Sequence, residues 1–199
     1  RPIPKEWAGD GTTGRTTGPA PSPTMDCVPC SKWTDLVMMW RKAMRWTEGL
    51  DRALSVMLAS ITSTKAVGDQ LWVKIIAPAA AGKSTLCEAL SVNKQYVIAK
   101  STLRGFHIGY DDGSGENYSP LKDMLDKTLV VKDGDALLQA PHLDQILSEA
   151  RDIYDRVSRS SYRSKQSKDW SGLNITIILC GTASLRQLDS SELGERFLD

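Results

Sequence analysis

The sequence predicts an α/β protein built on a parallel sheet, and three features carry that expectation. Short runs rich in β-branched residues, at 71–76, 95–99, 128–133 and 173–182, alternate with segments of helical periodicity. The last of these runs is apolar without alternation from Ile175 to Cys180, as suits a strand covered on both faces. A length of 199 residues, 41% hydrophobic and 25% charged, supplies one core rather than several.

Taken in order, residues 1–25 are expected to be a linker or disordered arm, because Gly, Pro, Ser and Thr dominate 8–24 and leave little to bury. Residues 26–69 form a helical segment. Leu36, Met39, Trp40, Ala43 and Met44 share one helical spacing and Leu50, Leu54, Met57, Leu58 and Ile61 another, with a break expected near Gly49. Cys27-Val-Pro-Cys30 has the spacing of half a zinc site but no partner pair, since Cys87 and Cys180 fall in apolar stretches expected to hold reduced, buried thiols. From residue 70 the alternating core begins. It places a helix at 84–91, a Gly-rich loop at 103–120 containing the lone His107, and a second helix from about His142 to Val157.

Charge excludes a global electrostatic partner. Lys and Arg number 25 against 24 Asp and Glu, a formal net charge of +1, so any contact with nucleic acid must come from a local patch. No apolar run approaches the roughly 20 residues that cross a bilayer. With no leader visible ahead of this pattern, the expected setting is the cytoplasm, the host's if the gene is phage-borne.

Ala77-Pro78-Ala79-Ala80-Ala81-Gly82-Lys83-Ser84-Thr85 lies between an expected strand and an expected helix. That is the context in which loop N–H groups and a helix N-terminus cradle phosphate. Lys83 is placed to reach terminal phosphates and Ser84 to hold Mg²⁺, which makes ATP with Mg²⁺ the expected ligand. The P-loop consensus opens on Gly, where this chain has Ala77, and Ala80 and Ala81 replace its usual Gly-Ser pair. Alanine permits close approach of backbone to ligand, but any position needing a positive φ is strained. A neighbouring strand must supply a carboxylate on the metal side, and Asp133 fits that place. Gly134 follows where many such ATPases carry Glu, so the task of polarising water falls to Asp135, to Glu149 on the next helix, or to no residue at all.

The stretch LVVKDGDALL, the helix HLDQILSEARDIYD, a basic run, ITIILCGTASLRQL and SELGERFLD together resemble the AAA+ ATPases, in particular the branch of the minichromosome maintenance helicases and their phage and plasmid relatives. The resemblance covers about 70–199. It implies a sheet ordered 5-1-4-3-2, with the fifth strand and the helical lid lying beyond Asp199. It implies that Thr182 is the sensor 1 residue and Arg196 an arginine finger acting on a neighbouring subunit, in a homo-oligomeric ring, commonly a hexamer. It further implies that the basic run, Arg156, Arg159, Arg163, Lys165 and Lys168, belongs to a hairpin touching DNA phosphates. The expected function is an ATP-driven DNA helicase or translocase of replication or recombination. Two rivals stand beside it: a P-loop kinase acting on a small acceptor, and a degenerate nucleotide-binding scaffold without turnover.

Overall fold

A computed structural model describes residues 30–106, 120–161, 167–190, 193 and 196–198. The arm 1–25, Cys27, His107, Arg163 and Lys165 lie outside the described residues. The chain divides into two compact units, Arg1–Met44 and Arg45–Asp199.

In the first unit, α1 (Trp33–Ala43) carries Asp35 in its first turn and Arg41 and Lys42 in its last, each sign opposed to the helix dipole at that end. The Cys30 thiol lies 3.2 Å from the Met39 sulfur.

The second unit opens with α2 (Glu48–Ser63), so the break between the two helices falls at 44–47 and Gly49 sits inside the first turn of α2. Its buried residues, Leu54, Met57 and Ser60, recur every three residues along one face. That face lies on the sheet. Ser60 Oγ donates to the Leu71 carbonyl at 2.7 Å, and Thr64, at the end of the helix, donates its hydroxyl to Thr176 at 2.7 Å with the Thr128 hydroxyl 3.0 Å away. All three threonines are buried, so each hydroxyl meets the requirement that a buried polar group be bonded.

The sheet holds β1 (Trp72–Ile76), β2 (Val97–Lys100), β3 (Lys127–Val131), β6 (Ile175–Gly181) and β7 (Phe197–Leu198), every pairing parallel, in the order β2-β3-β6-β1-β7. Counting only these strands along the chain, the order is 5-1-4-3-2. The expectation that the fifth strand lies beyond Asp199 is corrected: Phe197 pairs with Trp72 and Leu198 with Val73. A strand of two residues has no periodicity to detect. What holds it is the Phe197 ring, 5.3 Å from the Trp72 ring, whose other neighbour is Tyr154 at 5.2 Å.

β6 is buried along its whole length, and the complete removal of each Ile or Leu side chain from water contributes about 1.5–3 kcal/mol. The helices α3 (Lys83–Leu90), α4 (Pro120–Met124) and α5 (Leu143–Tyr154) complete the unit. α5 buries Ile146, Leu147, Ala150 and Ile153, a 3.6-residue stripe, and ends at Tyr154, short of the expected Val157. From Val157 the chain enters a two-stranded antiparallel pair, β4 (Val157–Ser161) and β5 (Ser167–Ser171), whose strands contain Arg159 and Lys168 of the basic run.

Candidate functional site

The C-terminal edge of the sheet collects the expected site residues other than Arg196. β1 ends at Ile76, and Ala77 donates its N–H to the Gly181 carbonyl of β6 at 3.2 Å, which fixes where loop 77–82 departs. Pro78, Ala79, Ala80 and Ala81 are exposed, as are Ser84 and Thr85 on the first turn of α3. Two loop residues take the left-handed conformation, Gly82 with φ 85° and Ala80 with φ 61°. Gly82 adopts it without a Cβ penalty, whereas at Ala80 the conformation costs about 1–2 kcal/mol. That is the strain expected of an alanine-rich loop, and it falls at one position.

Lys83 curls back over the loop. Its Nζ donates to the carbonyls of Ala77 and Pro78, both at 2.7 Å. The ammonium therefore sits inside the ring that the loop makes, with its donors turned onto neutral acceptors that an anion would displace. α3 begins with no side-chain cap, leaving its first N–H groups facing the same space.

Two strands away, the β2–β3 pairing continues past Val131: Lys132 N–H donates to the Lys100 carbonyl at 2.9 Å and Asp133 N–H to the Ser101 carbonyl at 2.8 Å. The main chain thus carries Asp133 to the edge, where its side chain is exposed and accepts the Ala136 N–H at 3.1 Å. Asp135 is more deeply engaged. Its carboxylate accepts the Thr182 N–H at 2.9 Å, the Thr182 hydroxyl at 3.1 Å and the Ser184 hydroxyl at 2.5 Å. Desolvation works against the charged form of Asp135, but the bonds from Ser184 and Thr182 and the charge of Lys83 outweigh it and hold the carboxyl below its ordinary value.

Glycines set the spacing of this corner. A Cβ at Gly134 would stand 3.0 Å from Leu185 Cδ2 and 3.2 Å from the Cys180 carbonyl, and one at Gly181 only 2.7 Å from Leu185 Cδ1. Leu185, on the 3-10 turn Ala183–Ser190, fills the space that a side chain at either position would need. The absence of Glu at 134 therefore has a steric counterpart. Glu149, the other candidate for polarising water, accepts the Phe106 N–H at 3.1 Å and the Gln145 amide at 2.9 Å, pinning the end of the segment after β2 to α5. Ser184 escaped sequence reading because a serine in a turn carries no signal of its own.

Arg196 lies elsewhere. It precedes β7, which runs parallel to β1, and so occupies the edge opposite loop 77–82. Its guanidinium is 3.5 Å from the Asp155 carboxylate and 5.4 Å from the centre of the Tyr154 ring. Of the basic run, Arg156 stands before the hairpin with φ 61° and donates to the Gly68 carbonyl. Among the described residues, no three His, Cys, Asp or Glu side chains group as a metal site. Beyond β2 and β3 a cavity of about 610 Å³ is lined by Thr102, Arg104, Gln139, His142 and Ile146 among others.

No protein-family model matches the chain, and no curated protein sequence matches it. Among solved structures it is similar to the crystal structure of NtrX from Brucella abortus, with 14% identity and a TM-score of 0.43 over 81% of this chain and 40% of that one. The chain thus spans less than half the length of that structure. Among the described residues, no helix is long and apolar enough to cross a membrane.

Proposed function

We propose that this chain is an ATP-binding and ATP-hydrolysing P-loop module of AAA+ type, resembling the minichromosome maintenance branch and acting on DNA as part of a homo-oligomeric ring. One observation carries the reading. At a single edge of a parallel sheet, loop 77–85 leaves β1 while Thr182, directly after β6, and Asp135, four residues after β3, are joined by hydrogen bonds beside it. In parallel sheets with covered faces, ligands sit outside the carboxyl ends of the strands.

Each residue then has a task. The loop N–H groups and the N-terminus of α3 donate to the phosphates, and Lys83 exchanges two carbonyls for phosphate oxygens. Ser84 and Asp133, exposed at the same edge, supply oxygen atoms of the kind Mg²⁺ prefers and would hold the ion there. Its chemistry there is to neutralise phosphate charge. Asp135 and Thr182 hold each other in place and present polar atoms beside the terminal phosphate, where an attacking water must be oriented. Arg196 cannot serve its own loop, because the five residues of β1, at ~3.3 Å each, set the two edges roughly 16 Å apart. On this reading it acts on a neighbour's loop.

The kinase rival needs an acceptor within about 3–3.5 Å of the transferred group. The cavity beyond β2 and β3, two to three strand spacings or roughly 10–14 Å from β1, is where such an acceptor would be sought, and phosphate release without any added acceptor separates the two readings.

The test is steady-state phosphate release from Mg-ATP with and without single-stranded DNA, run beside Lys83→Ala. Release stimulated by DNA and abolished by Lys83→Ala is the expected result, with loss of the thermal shift that Mg-ATP produces. An unchanged thermal shift in Lys83→Ala would remove the P-loop assignment. A shift without release in the parent chain would leave the scaffold reading.

A further inference from the structure

Cys87 and Cys180 come together in a way that nothing in the nucleotide reading uses. Cys87 lies on α3, one turn after Lys83, and Cys180 is the next-to-last residue of β6. Their sulfurs are 3.0 Å apart and both residues are 0% exposed. We propose that Cys87 and Cys180 form an oxidative modification site for hydrogen peroxide, whose product is an intrachain disulfide tying α3 to β6.

The surroundings suit the first step. The bond from Cys180 lowers the Cys87 thiol, and the charges of Lys132 and Lys83 add to it, against burial and the nearby Glu88. The same contact pushes the Cys180 thiol up, and burial pushes it further. Cys87 is therefore the nucleophile and Cys180 the resolving thiol. The Cys87 thiolate attacks one peroxide oxygen; the S–O bond forms, the O–O bond breaks and the departing hydroxide takes up a proton to become water. Cys180 sulfur then attacks the sulfur of the sulfenic acid. The S–S bond forms, the S–O bond breaks, and hydroxide leaves with the Cys180 proton as a second water. Two thiols and one peroxide become one disulfide and two waters, the two electrons passing from sulfur to oxygen.

Burial selects the oxidant. Hydrogen peroxide, with two heavy atoms, needs only a small local opening of the fold to reach the pair, whereas glutathione disulfide, which must place its own sulfur against Cys87, needs a far larger one. The product closes a long loop that contains β2, β3 and α5 and so removes much conformational freedom from the unfolded chain. The site does not depend on whether loop 77–85 binds nucleotide.

The experiment uses the full chain carrying Cys27→Ser and Cys30→Ser, which leaves only the two thiols in question. After peroxide treatment and removal of the excess, peptide mass mapping without reductant should find the Cys87 and Cys180 peptides joined, two hydrogens lighter and separable by dithiothreitol. The melting temperature should rise by roughly 5–10 °C and return on reduction. Adding Cys180→Ser should instead leave a sulfenic acid at Cys87 that dimedone captures when the chain is denatured in its presence. Glutathione disulfide should leave the pair reduced unless denaturant is present. The proposal is overturned if peroxide leaves both thiols titratable, if it takes them separately to sulfinic or sulfonic acid, if the link joins two chains, or if the joined chain melts no higher. Oxidation of the native chain by glutathione disulfide as fast as by peroxide would also overturn it.

Discussion

Three donors converge on Asp135, and this decides what its charge does. The carboxylate sits at the edge of the sheet, partly open to water, so its bonds to Thr182 and Ser184 are worth about 1 kcal/mol together after solvent screening. Because the folded-state value is held below the ordinary one, this stabilisation is complete above the unfolded value of about 3.9 and is lost as pH falls through the folded value. Asp135→Asn turns an amide N–H₂ toward hydrogen-bond donors. Its melting temperature should therefore lie below the parent's by a constant gap from neutral pH down to about pH 5, and the gap should close below about pH 4. Melts across that range check it; a gap that persists unchanged in strong acid would mean that the charge is irrelevant. Sequence reading named both Asp133 and Asp135 but could not say which one the chain would bond to Thr182. Two aspartates in DGD differ only in which way the turn at Gly134 aims them, and that turn is set by its N–H bond to Cys180 across the strands.

At the scale of the element, the 3-10 turn Ala183–Ser190 is held against the sheet by Leu185, which seats where Gly134 and Gly181 have no side chains. Gly181→Ala should destabilise the fold by about 1–3 kcal/mol through overpacking. Leu185→Ala should cost about 2–5 kcal/mol through the cavity it leaves. In the double variant the new methyl group occupies part of that cavity, so the combined loss measured by denaturant unfolding should fall short of the sum; strict additivity would show that the two do not share the space. The hairpin β4–β5 illustrates the opposite limit of legibility. Its basic residues were visible as a run, but periodicity carried the preceding helix on to Val157, because a serine-rich polar stretch announces neither strand nor turn. On the DNA-binding proposal, replacing Arg163, Lys165 and Lys168 by Ala should weaken single-strand binding and flatten its dependence on salt, by up to about 0.7 in log–log slope for each phosphate no longer neutralised. An unaltered slope in a titration from low to moderate salt would assign the run to solvent.

At the largest scale, the parallel direction of all five strands of the main sheet separates its two ends into a loop-bearing edge and an edge that carries Arg196. Under the ring proposal this polarity has a direct consequence, since a guanidinium on the far edge can complete only another subunit's site. Arg196→Ala should bind Mg-ATP like the parent yet lose turnover by roughly a thousandfold or more, and mixing it with Lys83→Ala should restore part of the activity. Mixed assemblies that form and stay inactive, or full turnover by an Arg196→Ala monomer, would sink the ring reading. The sequence by itself determined the class of fold, the central strands and the helix after loop 77–82, because continuous apolar runs and a 3.6-residue stripe are local properties written in neighbouring residues. Only the tertiary structure decided that Phe197 and Leu198 complete the sheet, that α2 lies upon it through Ser60 and Thr64, and that Cys87 meets Cys180. Each of these joins residues far apart along the chain, and such pairings depend on the packing of the whole core, which no local pattern records.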